Sequence, residues 1–493
     1  MRIAIIGGGI SGLTFAYYLQ KAGVAYDLFE ADARPGGNIL SLSPPGGYLL
    51  EAGPNSLQLS PELETLLADL SLTDQIQEAA PVSQQRFVLR DGRYQQLPAS
   101  PPALLTSGFF SLKAKFQMLR ELTRPPAAPD PAETVAHFFR RRFGAEVLDY
   151  AVNPFMAGIY ASDPEKLLLH QTFPQLAALE QQHGSVLRGL ARTGKGAPRR
   201  RIFTLQGGLQ KLTETLAARL TNYHAGRAVG QISRVGNDEY ELGFAPPAGS
   251  TTASDAAHRP ETTAASEPTR SAAAPPLTGS AQAYSHLALA LPAYAAAPLL
   301  APLFPEAAAA LAAIHYPPLT VVFSAYERAA VRHPLNGFGA LHPKVENAYA
   351  AGSIWTSAIY PNRVPAGQVL FTTFVGGSQY AAQAQHPEAE QLAAVHEELS
   401  RLYGISGAPR WQDRYPWPRS IPQFDECIGP ARAAVAALRP LGVLAVANWQ
   451  AGVSVPDCVR YARQAAETLR NEEGQAEQSE ASLPLTNPII EAV

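Results

Sequence analysis

The N-terminal segment up to Glu30 restricts this chain more than any other stretch. Arg2-Ile3-Ala4-Ile5-Ile6 is a short β-branched apolar run, the pattern of a parallel strand buried on both faces. Gly7, Gly9 and Gly12 follow as G-x-G-x-x-G, and the spacing predicts a helix over Leu13 to Ala22. Each glycine has its own reason: Gly7 turns the chain, Gly9 lets main chain approach a pyrophosphate, and Gly12 lets helix settle on strand. Gly8, Ile10 and Ser11 complete the turn, where unpaired N–H groups and the positive helix end face the phosphates. A second strand, Ala25 to Phe29, leads to Glu30, about twenty residues beyond the glycines, with Ala31 next to it. A carboxylate there accepts both ribose hydroxyls and repels a 2′-phosphate. The ligand is therefore FAD or NAD rather than NADP.

At 493 residues the chain exceeds a single core and should divide into roughly two or three lobes. Its 46% apolar content supplies those cores, and a net charge of −3 argues against nucleic acid as a partner. The two cysteines, Cys427 and Cys458, fit no metal-ligand or CxxC spacing and read as free thiols in a reducing compartment. With a strand beginning at Arg2, no leader is expected and residence is expected to be cytoplasmic.

Leu287 to Phe304 lacks charge, but Pro292, Pro298 and Pro302 interrupt it; a strand His286–Ala290, a turn and a helix are expected instead of a span. Ala245 to Ala283, built largely from Ala, Pro, Ser, Thr and Gly, is expected to be a disordered insertion, and so is the polar tail from Asn471 to Val493. Between Leu97 and Arg124, Leu104, Leu105, Phe109, Phe110, Leu112, Phe116, Met118 and Leu119 alternate with Lys113, Lys115, Arg120 and Arg124. That mixture suits a helix lying on an anionic membrane, and equally a helical hairpin packed on its own lobe.

Beyond Glu30, Arg34 and Gly36-Gly37 complete E-x-x-x-R-x-G-G, which resembles the flavin-containing amine oxidase superfamily and selects FAD over NAD. Further segments resemble one family within it, the oxygen-dependent protoporphyrinogen/coproporphyrinogen oxidases. These are Glu51-Ala52-Gly53-Pro54-Asn55-Ser56, the run Pro154-Phe155-Met156-Ala157-Gly158-Ile159-Tyr160-Ala161, Phe203 to Gln210, Gly337 to Leu341, Ile421 to Phe424, and Gly452-Val453-Ser454-Val455-Pro456-Asp457-Cys458. They keep the family's order nearly end to end. Ile159 stands for the usual valine and Ala447 for the usual glycine.

The resemblance implies an α/β architecture with a discontinuous Rossmann-like FAD-binding domain (1–57, 203–292 and 436–470). It also implies a mixed-sheet substrate-binding domain (58–96 and 293–435) and a helical lobe (97–202) with potential membrane-surface contact. By resemblance, Gly37, Asn38, Gly53, Pro54, Asn55 and Ser56 follow the cofactor's middle, Val229 its adenine end, Gln423 its ring region, and the N–H groups of Val453, Ser454 and Val455 the flavin. Gly158, Gly339, Leu341 and Phe374 should receive the flat substrate.

The implied reaction is oxidation of a porphyrinogen, protoporphyrinogen IX in preference to coproporphyrinogen, with O2 as acceptor and hydrogen peroxide as product. It would belong to haem biosynthesis, as a monomer or homodimer, peripheral on the inner membrane, feeding a ferrochelatase-type enzyme. No catalytic acid–base group or metal centre is expected. No cation is singled out for the substrate propionates, since Leu97-Pro98 leads into Ala99-Ser100 where some relatives carry arginine. Two rivals remain: an amine oxidase or carotenoid desaturase-like oxidoreductase, and a non-catalytic porphyrin-binding flavoprotein.

Overall fold

The computed structural model describes residues 1–98, 101–193, 201–236, 239–245, 278–279 and 282–481. Arg2–Ile6 forms the central strand of a five-stranded sheet in the order 223–224, 25–29, 2–6, 286–289, 443–445, all parallel. Ile3 and Ile5 enter one apolar cluster with Leu13, Leu28 and Val459, while Ala4 and Ile6 enter another with Leu287 and Val443. Burial on both faces explains the absence of alternation in the sequence. The strands come from the start, middle and end of the chain.

The first helix spans Ile10–Lys21, three residues ahead of its expected start. Gly9 is its N-cap and the Gly9 carbonyl already accepts from the Leu13 N–H at 3.0 Å, so the glycine turn and the first helical turn overlap. Beyond the sheet, strands Val229–Val235 and Glu239–Phe244 pair antiparallel.

Within the low-complexity insertion, residues 246–277 and 280–281 lie outside the described residues, as do 482–493 of the tail. Two described pieces correct the expectation of disorder there. Thr278–Gly279 pairs with Gly243 and Phe244, a main-chain contact that needs no apolar side chain. The closing helix runs Val455–Ala481, well past Asn471, because Glu, Gln and Ala in 471–481 are good helix formers despite their polarity.

The second sheet has seven strands in the order 411–417, 319–327, 368–376, 352–354, 339–341, 87–90, 93–96. Its pairs are antiparallel except 339–341 with 87–90, so the sheet is mixed. One face packs Val322, Phe371 and Val375 against Val395 and Leu399 of the helix Glu388–Tyr403. The other packs Val321, Phe323 and Leu370 against Leu40, Tyr48, Leu50 and Ala52, which follow the nucleotide-binding turns.

Between the two sheets in sequence lies a helical lobe. Its polar centre is the fully buried pair Glu121–Arg142, at 2.5 Å. Glu121 also accepts from the Ser185 hydroxyl and the Val186 N–H, and Arg142 donates to the carbonyls of Arg124, Pro125 and Gly184. Here the segment 286–304 is strand His286–Leu289 and helix Ala293–Leu300. Among the described residues no helix is long and apolar enough to cross a membrane.

Candidate active site

The glycine turn is built to the tolerance its spacing required. A Cβ on Gly12 would lie 2.0 Å from the Gly7 carbonyl oxygen, whereas one on Gly9 would meet nothing within 4 Å among the described residues. Gly12 is thus closed by helix–strand packing, and Gly9 faces open space where a ligand backbone can approach. The Gly36 N–H donates to the Gly8 carbonyl at 2.8 Å, laying the second turn along the first. Arg34 holds that turn: its guanidinium donates to the carbonyls of Gly37 and Ile39, both at 2.8 Å, and of Pro35. Its place is therefore a staple within the turn.

Glu30 accepts from the Gly8 N–H at 2.5 Å and the Asp32 N–H at 2.9 Å, and burial raises its pKa against those bonds. The Arg227 N–H donates to the Glu30 carbonyl and the Gly226 N–H to that of Asp32, so the strand beginning at Val229 starts beside Glu30, Ala31 and Asp32.

A Cβ on Gly53 would meet the Asn38 carbonyl oxygen at 1.8 Å, which presses Gly53-Pro54-Asn55-Ser56 against Gly37-Asn38. Asn55 is buried, yet among the described residues neither its amide oxygen nor its nitrogen has a partner. An orphaned buried amide costs about 1–3 kcal/mol, and a cofactor running along these turns would satisfy it.

At the far end of the chain, the Ser454 hydroxyl accepts from the Asp457 N–H at 3.2 Å and donates to its carboxylate at 2.5 Å, capping the closing helix. Among the described residues none accepts from the N–H groups of Val453 or Ser454, and Ser11 touches the buried Cys458 thiol, whose pKa burial pushes up to about 11. Two helix N-termini therefore meet at one place. The donors, the open glycine and the orphaned amide together fit a dinucleotide.

The second half of the site faces the mixed sheet. Gly158 sits on the helix Asn153–Tyr160, where a Cβ would lie 2.5 Å from the Leu341 side chain. Leu341 pairs with Gly352, and Gly352 with Phe374, so the three stand in line across three strands on one face. Gly352 contributes no side chain between the other two, and its own Cβ position is closed at 2.5 Å by the Ala340 carbonyl oxygen, so Leu341 and Phe374 flank a shallow apolar trough floored by main chain. Gly339, at φ +155°, has its Cβ position blocked at 2.3 Å by the Ser353 carbonyl oxygen; it keeps the strands close.

The helix wall is fastened at both ends. Ala161 is left-handed, its carbonyl accepts from the Ser378 N–H at 2.8 Å, and Asn153 donates to Gln379. Gln423, buried, donates to the Tyr160 carbonyl at 3.2 Å and accepts from the Ser378 hydroxyl at 3.0 Å. These bonds make it a brace between the helix end and the sheet.

Sequence reasoning did not find three features. Gly352 lies outside any quoted motif. Arg363 forms a buried ion pair with Glu51 at 2.9 Å and donates to Thr204, while Glu51 also accepts from Ser41 and the Leu209 N–H. Only the Glu51 half stood in a motif. Phe155 and Ile159 stood in the quoted run, but not their exposure: at about 40% beside Gly158, they offer an apolar rim.

A family model for flavin containing amine oxidoreductases matches residues 10–470. Chloroplastic protoporphyrinogen oxidase of Oryza sativa subsp. japonica is 32% identical, over 94% of this chain and 87% of that one. Coproporphyrinogen III oxidase of Bacillus subtilis (strain 168) is 27% identical, over 93% and 95%. Among solved structures, a candidate protoporphyrinogen oxidase from Exiguobacterium sp. 255-15 superposes with a TM-score of 0.74 at 21% identity, covering 96% and 99% of the two chains. Cyclohexylamine oxidase from Brevibacterium oxydans IH-35A gives 0.65 at 16% identity, covering 96% and 99%, so the fold spans several substrate classes. The cofactor is FAD, and the chain belongs to the flavin containing amine oxidoreductase family, in its protoporphyrinogen/coproporphyrinogen oxidase branch.

Proposed function

We propose that this enzyme oxidises protoporphyrinogen IX to the porphyrin, with O2 as the final acceptor and hydrogen peroxide as product, as a step of haem biosynthesis. The observation that carries the reading is the trough formed by Gly158, Leu341, Gly352 and Phe374, apolar and lacking side chains at two of its four positions. A flat macrocycle needs such a gap; an extended polyamine does not.

FAD, when bound, supplies a two-electron hydride acceptor that dioxygen reoxidises. The chain's own residues position and shield. Leu341 and Phe374 would cover the faces of the macrocycle, and Gln423 with Ser378 would hold the helix wall at a fixed distance from the sheet. The helix start at Val453–Val455 offers N–H groups to negative charge developing on the reduced ring. Aromatisation drives the chemistry, so placement counts for more than acid–base groups.

We also assign the outer face of the helix Leu112–Glu121 to a membrane surface. Leu112, Phe116 and Leu119 are 84%, 63% and 49% exposed and recur on one side, with Lys113 and Arg120 beside them. The substrate and product are poorly soluble, and a peripheral site on the inner membrane would also favour transfer to a ferrochelatase-type enzyme.

The deciding experiment is flavin reduction under nitrogen with protoporphyrinogen, coproporphyrinogen and a polyamine in turn. Protoporphyrinogen is expected to bleach the flavin fastest, and porphyrin fluorescence to rise only once O2 is admitted, because the porphyrin needs six electrons removed and one flavin takes two. Faster bleaching by coproporphyrinogen, the substrate in the name of the Bacillus relative, would move the substrate one side-chain class over. Bleaching by the polyamine alone would overturn the reading.

A further inference from the structure

Away from the cofactor turns and the trough, one surface cluster brings together three kinds of metal-ligating atom. His315 lies between the helix Pro305–Ala312 and the strand Leu319–Glu327, while Asp425 and Cys427 lie in the loop entering the helix Ile428–Ala436. His315 Nδ1 and Asp425 Oδ2 are 2.6 Å apart, and one ligand atom from each of the three side chains lies within 4.8 Å of the others.

The main chain fixes this arrangement from beneath. The Gln423 N–H donates to the His315 carbonyl at 2.9 Å, and Asp425 Oδ1 accepts from the Cys427 N–H at 3.0 Å. Asp425 thus commits one oxygen to its own loop and turns the other toward His315. Asp425 is buried, Cys427 half-buried and His315 exposed, so the cluster opens to solvent on one side only. Glu426 adds a second negative charge next to it.

We propose that His315, Asp425 and Cys427 form a binding site for a borderline-soft divalent cation of the zinc class, with water completing the coordination. Imidazole, thiolate and carboxylate all bind zinc at about 2.0–2.3 Å, and a tetrahedron of such bonds sets ligand atoms about 3.3–3.7 Å apart. The His315–Asp425 contact at 2.6 Å must open, which an exposed imidazole achieves by rotation, and with all three atoms within 4.8 Å of one another the Cys427 thiol has at most about 1 Å to close. A thiol in the set disfavours magnesium and calcium, which select oxygen ligands. The bound ion would tie the segment before the strand at Leu319 to the loop carrying Gln423. That residue braces the C-terminal end of the helix bearing Gly158, so the ion would stiffen one wall of the trough from outside.

The test uses the FAD-loaded full-length protein, with zinc titrated by calorimetry and Cys427 followed by maleimide labelling. Cys458, the other cysteine, is buried and serves as the silent control. One zinc ion is expected to bind per chain and to slow labelling of Cys427, while magnesium does neither. His315→Ala and Cys427→Ser should each weaken zinc binding about tenfold or more, at least the loss seen when a ligand's supporting contact is removed. Zinc affinity unchanged by Cys427→Ser, a labelling rate indifferent to zinc, or equal protection by magnesium would each overturn the site.

Discussion

At Gly158 a single added carbon should separate activity from stability. The residue lies within a helix, where alanine is favoured over glycine by about 0.5–1 kcal/mol. The new Cβ would meet only the mobile end of Leu341, at 2.5 Å, and the leucine can yield by swinging into the trough. Gly158→Ala is therefore expected to leave Tm equal or higher and flavin retained, while kcat/KM for the porphyrinogen falls about tenfold, a loss near 1.4 kcal/mol in the transition state. Adding Leu341→Ala should restore part of that loss. A variant that sheds flavin and stability together would show that Gly158 serves packing instead. This position was legible in the sequence because it stood in a quoted run of eight residues. Gly352 was not, since its importance comes from standing between Leu341 and Phe374 in three strands distant in sequence. His315, Asp425 and Cys427 escaped for the same reason: no spacing rule links residues 110 positions apart.

Elements were legible where local pattern and tertiary burial agree. The strands at Arg2–Ile6 and Ala25–Phe29 stand where the sequence put them, while the closing helix runs past its expected end because helix propensity in 471–481 outweighs polarity. The mixed sheet was less legible, because its edge depends on an aromatic cluster assembled from separate elements. His333 sits in that cluster against Phe87, Tyr94, Trp355 and Tyr403, and its Nδ1 accepts from the Leu335 N–H at 3.1 Å. Burial, with Arg328 nearby, lowers its pKa to about 4. The folded state then binds fewer protons than the unfolded chain below the ordinary histidine value. Its contribution is full above that value and is lost as pH falls from about 6.5 toward 4. Buried Glu30 and Glu51, with raised values, act in the opposite sense, so the difference between two proteins is the clean measurement. Across that window the stability of the parent relative to His333→Phe should fall with acidity, by at most about 1.4 kcal/mol per pH unit. Denaturant midpoints for both proteins at several pH values check this, and parallel curves would remove His333 from the account.

For the whole molecule, the question is what holds the substrate sheet against the cofactor half. Glu51 follows the nucleotide turns and Arg363 precedes the strand Gln368–Gly376, and their ion pair is buried on both sides. Burial raises the Glu51 pKa although the Arg363 charge opposes it. Arg363→Met would strand that carboxylate, at about 3–5 kcal/mol, lowering Tm and loosening FAD. The deficit should shrink in acid, as the unpaired group takes up a proton, and Glu51→Gln in the same chain should recover much of it. The motif around Glu51 was visible in the sequence; its partner, 312 residues away, was not.

The outer helix face raises the last question at this scale, whether the molecule works at a surface. Leu112, Phe116 and Leu119 expose one apolar side, while Ala114, Met118 and Glu121 face the lobe interior, so the lobe does not need the first three for its own packing. Inserting Phe116 into lipid is worth about 2 kcal/mol, and its replacement by a charge should lower vesicle partitioning about thirtyfold or more. Phe116→Glu is accordingly expected to release the enzyme from anionic vesicles in a flotation assay. Turnover of detergent-dispersed porphyrinogen should be kept, because Phe116 is exposed on the side opposite Ala114 and Met118, which pack with Val88. High salt should weaken binding of the parent only in part, since Lys113 and Arg120 supply the electrostatic share and the apolar face the rest. Equal flotation of parent and variant would mean that this face covers something other than lipid.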